Sequence, residues 1–398
     1  MLAKRVMLPV GTAFLLGLFY HCGGKGTGLP EPPATWEKTY GTTASDGAKQ
    51  VVPTADGGYI LAGWTRFTDS EDEDVYLLKL GRSGNVMWEK TFGGAKVDDA
   101  SSIALAPDGG YFIAGWTYSL GAGWDDVYLI KTDASGKMMW EKTFGGSSSD
   151  RAYSVAPTAD GGCIAVGRTK SIGAGSDDVY LIKTDASGNK DWEKTFGGVG
   201  RDYGYCVAPT ADGGYIIAGE TSFFGAGEGD VYLIKTDAAG DSVWTRTYGG
   251  IGDDYGYCVV PIADGGYIIV GSTNSSGFGG YDVYLSKIGA SGDSVWAQTL
   301  GGADRDHGYC VAPTADGGYI IAGETWSSSA GQADVYLIKT DASGNLEWEK
   351  MFGGIGDDRA YSVALTDAGG YIIAGFTKSS GAGGSDVYLI KVDENGEL

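Results

Sequence analysis

The chain has 398 residues, of which 70 are glycine, and its 29 basic and 51 acidic residues give a formal charge of −22. That balance excludes the Lys/Arg surface that nucleic-acid binding needs to displace phosphate counterions, and it disfavours docking on an anionic lipid surface. The glycines recur at fixed phases beside Val-Tyr-Leu-Ile runs, so they read as turn residues of an all-β chain and not as a disordered linker.

Residues 1–22 read as an export signal. Lys4 and Arg5 precede an apolar run from Val6 to Tyr20, too short and one-sided to predict a membrane span. Cys22 ahead of Gly23-Gly24-Lys25-Gly26 resembles a bacterial lipoprotein processing site, with Tyr20 and His21 where such sites carry small residues. The resemblance implies a lipid on Cys22 and a tether over residues 23–35, with simple secretion and an uncleaved membrane anchor as the alternatives. Each places the remainder at the cell envelope or outside the cell.

From residue 36 onward the chain is periodic. Trp36, Trp88, Trp140, Trp192, Trp244, Trp296 and Trp348 stand 52 residues apart with no insertion or deletion between them. A unit of that size cannot bury a core alone, so the period predicts a repeat architecture. Residues 150–202 show the unit. Asp150 to Pro157 alternates as a first strand, and Asp160-Gly161-Gly162 supplies a tight turn. Cys163 to Thr169 is a nearly continuous apolar run, predicting a second strand buried on both faces. After a Gly-Ala-Gly loop, Asp178 to Thr184 is a third strand, Asp185 to Asn189 a turn, and Trp192 to Phe196 a fourth strand.

Four antiparallel strands joined by short hairpins make the blade of a β-propeller, so residues 36–398 are predicted to form an all-β, seven-bladed β-propeller. Trp36 to Tyr40 reads as a fourth strand and Asp386 to Lys391 as a third, so pairing the two would close the ring and remove two sheet edges. A closed ring of one chain implies a monomer.

The segment from Asp178 through Gly188 to Trp192 resembles the repeats of pyrroloquinoline-quinone-type propellers, in which an Asp, a Gly and a following Trp tie neighbouring blades. The wider unit, Asp-Gly-Gly-Tyr-Ile-Ile-Ala-Gly through Asp-Val-Tyr-Leu-Ile-Lys to Trp-Glu-Lys-Thr-Phe-Gly-Gly, resembles exported bacterial and archaeal β-propeller repeat proteins. The resemblance implies the fold. The quinone enzymes have eight blades and vicinal cysteines in the cofactor pocket, whereas this chain has seven units and no such pair, so no organic cofactor is implied.

Residues present in all seven units read as structural. The Asp opening each third strand (Asp74, Asp126 and counterparts) caps its glycine loop, and the Lys closing it (Lys79 to Lys391) reaches outward to a carboxylate or solvent. A second series, Asp46, Asp98, Asp150, Asp202, Asp254, Asp306 and Asp358, opens strand one at the mouth of the central channel. Each would cap its own loop; the alternative is a converging carboxylate ring that binds Ca²⁺. Cys163, Cys206, Cys258 and Cys310 lie in different units, and sheets packed roughly 10 Å apart predict free thiols, since a disulfide needs Cα atoms within about 7 Å.

Recognition should lie where units differ on one face. At the strand-two ends these are Trp64, Trp116, Arg168, Glu220, Ser272, Glu324 and Phe376, followed two residues on by positions that include Trp326. Beside the Asp series stand Arg151, Tyr203, Tyr255, His307 and Arg359. Aromatic rings mixed with fixed charges suit a glycan, peptide or protein partner. With His307 the lone histidine after Cys22 and no phosphate loop before a helix, histidine-metal and nucleotide chemistry are not predicted. The expectation is a non-enzymatic exported binding or scaffold propeller; the alternative is a polysaccharide hydrolase or lyase working through carboxylates on that face.

Overall fold

The computed structural model describes residues 35–66 and 72–398. The predicted export signal, Cys22 and the tether up to residue 34 lie outside the described residues. Twenty-eight strands form seven four-stranded antiparallel sheets, and among the described residues there is no helix. Blade three runs Asp150–Pro157, Cys163–Thr169, Asp178–Thr184 and Lys190–Phe196, each strand paired with the next. The first strand of every blade contacts the first strands of both neighbours, which puts it on the axis and the Trp-bearing strand on the rim. The chain is a seven-bladed β-propeller.

Closure follows the predicted route. Trp36–Tyr40 pairs antiparallel with Asp386–Val392, setting Trp36 opposite Lys391 just as Trp88 stands opposite Lys79. Asp46 N donates to Ser385 O at 2.8 Å, and the Tyr388 hydroxyl donates to Glu37 at 2.5 Å.

Each core lies between blades. Phe112, Val127 and Leu129 of blade two pack with Val155, Ala165, Tyr180 and Ile182 of blade three. A lone blade would therefore expose its apolar faces, which is why the sequence needs the ring. The tryptophans join in: Trp192 meets Tyr215 of the next blade at 6.1 Å between ring centroids, and Trp88 meets Tyr111 at 6.2 Å. Where Cys163 replaces that tyrosine, Trp140 turns to Phe112 at 6.1 Å and donates through Nε1 to Ala186 O at 3.1 Å. The third-strand lysines do not run out to solvent. Lys131 and Lys235 are buried, and each ion-pairs at 2.8 Å with the Asp of its blade's first hairpin, Asp108 and Asp212.

Candidate functional site

Strand-one starts, strand-two ends and the loops after strands two and four share one end of the propeller, because Asp150 pairs with Thr169, Thr169 with Asp178, and Val179 with Phe196. The two variable series face each other there twice over. Within a blade they are cross-strand partners: Arg151 opposite Arg168, Tyr203 opposite Glu220, His307 opposite Glu324. Across junctions they touch again. The Arg151 guanidinium lies 4.1 Å above the Trp116 ring, and that of Arg168 lies 5.6 Å from Tyr203. Ser272 Oγ bonds His307 Nδ1 at 2.6 Å, and Arg359 Nε stands 3.0 Å from Glu324. Trp64 meets Phe376 at 6.2 Å across the closing junction.

The structure thus brings Trp64, Trp116, Arg151, Arg168, Tyr203, Glu220, Tyr255, His307, Glu324 and Arg359 into one circle. Trp326 stands apart, exposed on its loop, its backbone N–H donating to Arg305 O at 2.8 Å. The three arginines are already neutralised within the molecule: Arg151 by Asp125, Arg168 by Asp177, and Arg359 by Asp357 as well as Glu324. Burial and the Arg359 charge hold His307 down to about 4, so its ring is neutral at pH 7.

One feature of the sequence was missed. Every first strand carries a one-residue bulge at its fourth position, occupied by Lys49, Ser101, Tyr153, Tyr205, Tyr257, Tyr309 and Tyr361. A bulge re-aims its extra residue. The five tyrosines form a continuous belt inside the circle, with successive centroids 5.6, 5.4, 5.3 and 5.4 Å apart. Lys49 Nζ extends it, 4.1 Å from the Tyr361 ring. Tyrosine recurring three residues after the strand-one Asp was the available clue.

The same end carries large exposed apolar groups on its loops, among them Trp124, Phe223, Ile251, Phe278 and Ile355. Trp124 is 74% exposed and Phe278 76%.

The strand-one Asp series does not form a shared ring. Asp150 accepts from Gly146 N at 2.9 Å and Ser171 Oγ at 2.6 Å, with Thr169 on its other oxygen. Asp306 likewise accepts from Gly302 N at 2.7 Å and Ser327 Oγ at 2.7 Å. They are loop caps, and among the described residues no group of three or more His, Cys, Asp or Glu is arranged to hold a metal ion. All four described cysteines are free. The expected 10 Å separation of sheets fails near the axis, however. There the inner strands converge: Cys206 Sγ donates to Val259 O of the next blade at 3.7 Å, and Cys310 Sγ to Val363 O at 3.7 Å.

Fold and site together define a β-propeller with a variable aromatic end. No family model matches the chain. A curated relative, the regulatory protein FlaEY of Caulobacter vibrioides, is 28% identical over 211 residues, 46% of this chain, and the chain spans 22% of that relative's length. Among solved structures, the Pan2 WD40 domain of Neurospora crassa superposes with TM-score 0.54 at 11% identity, covering 88% of this chain and 91% of that one. Sqt1 from Chaetomium thermophilum gives TM-score 0.48 at 12% identity, covering 85% and 83%. At such identities the likeness is one of fold alone.

Proposed function

We propose that this chain is an exported binding propeller that holds a protein or peptide partner on its variable end at the cell envelope. The observation that carries the reading is the crown of exposed apolar loop residues around the tyrosine belt, on a chain of net charge −22. Apolar surface gathered on one end and edged by polar groups is what association with another macromolecule buries. The name of the curated relative, a regulatory protein, fits a binding role. Lys4, Arg5 and the apolar run to Tyr20 support export, and Cys22 supports a lipid anchor.

Probing peptide and glycan arrays with the full chain tests this. Binding to peptide features, lost when Trp124 and Phe278 are changed to Ser, is the expected result. Binding confined to glycans would replace the protein partner with a carbohydrate. Fractionation of cells expressing the chain should recover it with the membrane or medium, and Cys22→Ala should abolish membrane retention.

A further inference from the structure

Blades four and six carry the same pair at the circle, a strand-two Glu beside a belt Tyr. In blade six the Tyr309 hydroxyl donates to Glu324 Oε1 at 3.1 Å, while Oε2 lies 3.0 Å from Nε of Arg359 of the following blade. The Glu324 side chain is 4% exposed and Arg359 29%, so a partly exposed arginine closes over a buried carboxylate. In blade four Tyr205 is the bulge residue of the strand paired with the one that carries Glu220, as Tyr309 is for Glu324. The residue of the following blade in the Arg359 position is Tyr255, which brings no charge. Oε2 of both carboxylates is buried without a hydrogen-bond partner, but Glu324 Oε2 has the Arg359 ion pair and Glu220 Oε2 has none.

Four rings share this stretch of the circle with the carboxylate. Tyr203 stands opposite Glu220 across the strand pair and meets Tyr205 at 6.0 Å; Tyr205 meets Tyr257 of the following blade at 5.4 Å, and Tyr257 stacks on Tyr255 at 5.7 Å with planes 10° apart. All four are half-buried, as is Glu220. Aromatic faces around one unneutralised carboxylate attract a cation, and a planar guanidinium both stacks on rings and forks onto oxygen.

We infer that the Glu220–tyrosine nest is a specificity site for an arginine side chain of the partner, which takes the place that Arg359 fills over Glu324. The inference rests on the binding-face reading and narrows it.

Titrating the full chain at pH 8 with N-acetyl-arginine amide, against N-acetyl-norleucine amide, with tyrosine NMR shifts as the readout, tests it. The arginine compound alone should saturate and move Tyr203 and Tyr255. Glu220→Gln should weaken it at least tenfold. Tyr255→Arg should also weaken it at least tenfold, while raising the melting temperature, because the guanidinium is then supplied by the chain. Equal binding of both compounds, or indifference to Glu220→Gln in a variant that still melts cooperatively, overturns the inference. A peptide partner bound by a chain that ignores the arginine compound overturns it too and leaves the binding face standing. The arginine compound bound at Glu220 with no macromolecular partner on any array keeps the site and removes the partner reading.

Discussion

Gly188, at φ +77°, sits on the turn before a fourth strand, and a Cβ built there would lie 2.8 Å from the Trp140 indole of the preceding blade. Both the left-handed backbone and the contact demand glycine. Gly188→Ala should cost about 1–3 kcal/mol, read as a lower denaturant midpoint with unchanged slope. Glu220 makes the complementary case. Burial pushes its carboxyl up to about 7, with Asp253 and Asp202 adding to this and Arg201 and the Tyr205 hydroxyl opposing it. A carboxyl that holds its proton more tightly when folded contributes most below its unfolded value near 4.5, and that contribution disappears as pH rises through about 7. Glu220→Gln should therefore melt like the parent at pH 4 and above it at pH 8, by the equivalent of roughly 1–3 kcal/mol. Both residues occupy places the sequence marked, one by the period and one by departing from it. The nest around Glu220 was not marked, because four tyrosines on two blades meet only when inner strands converge.

Blade seven departs from its siblings in one hairpin. Blades one to six place an Asp immediately before the Gly-Gly of this turn, where it pairs with the third-strand lysine; Lys79 with Asp56 and Lys339 with Asp316 are both 2.8 Å apart. In the seventh blade the order is Thr366-Asp367-Ala368, and the buried Lys391 has no ion-pair partner among the described residues. Burial and the nearby Arg82 charge lower its affinity for the proton. Exchanging the two residues, Asp367→Ala with Ala368→Asp, should raise stability by about 1 kcal/mol near pH 7, with the gain fading as pH climbs toward the lysine range. The strand-one Asp caps give a second expectation at this scale. With hydrogen bonds supplied by each loop, the melting temperature should be the same in EDTA and in millimolar Ca²⁺, and a Ca²⁺-dependent rise would show an ion between the carboxylates.

The ring stands or opens as a whole. Removing residues 1–41 takes away the strand that completes blade seven, uncovers the core at Leu389 and Tyr59, and leaves the outer edge of Asp386–Val392 unpaired. Such a chain should unfold at markedly lower denaturant and associate through the open edge, seen as dimers or larger species by light scattering. The sequence by itself determined the blade count, the four strands of each blade, the closing strand and the end on which units differ. Those features rest on local chemistry, alternating apolar residues, Asp-Gly turns and a 52-residue period, which hold wherever the segment sits. Only the tertiary structure decided which variable residues neutralise one another and which are left over. The ion pair of Arg359 with Glu324, and the lack of one at Glu220, depend on contacts between blades that are adjacent only after the ring has closed.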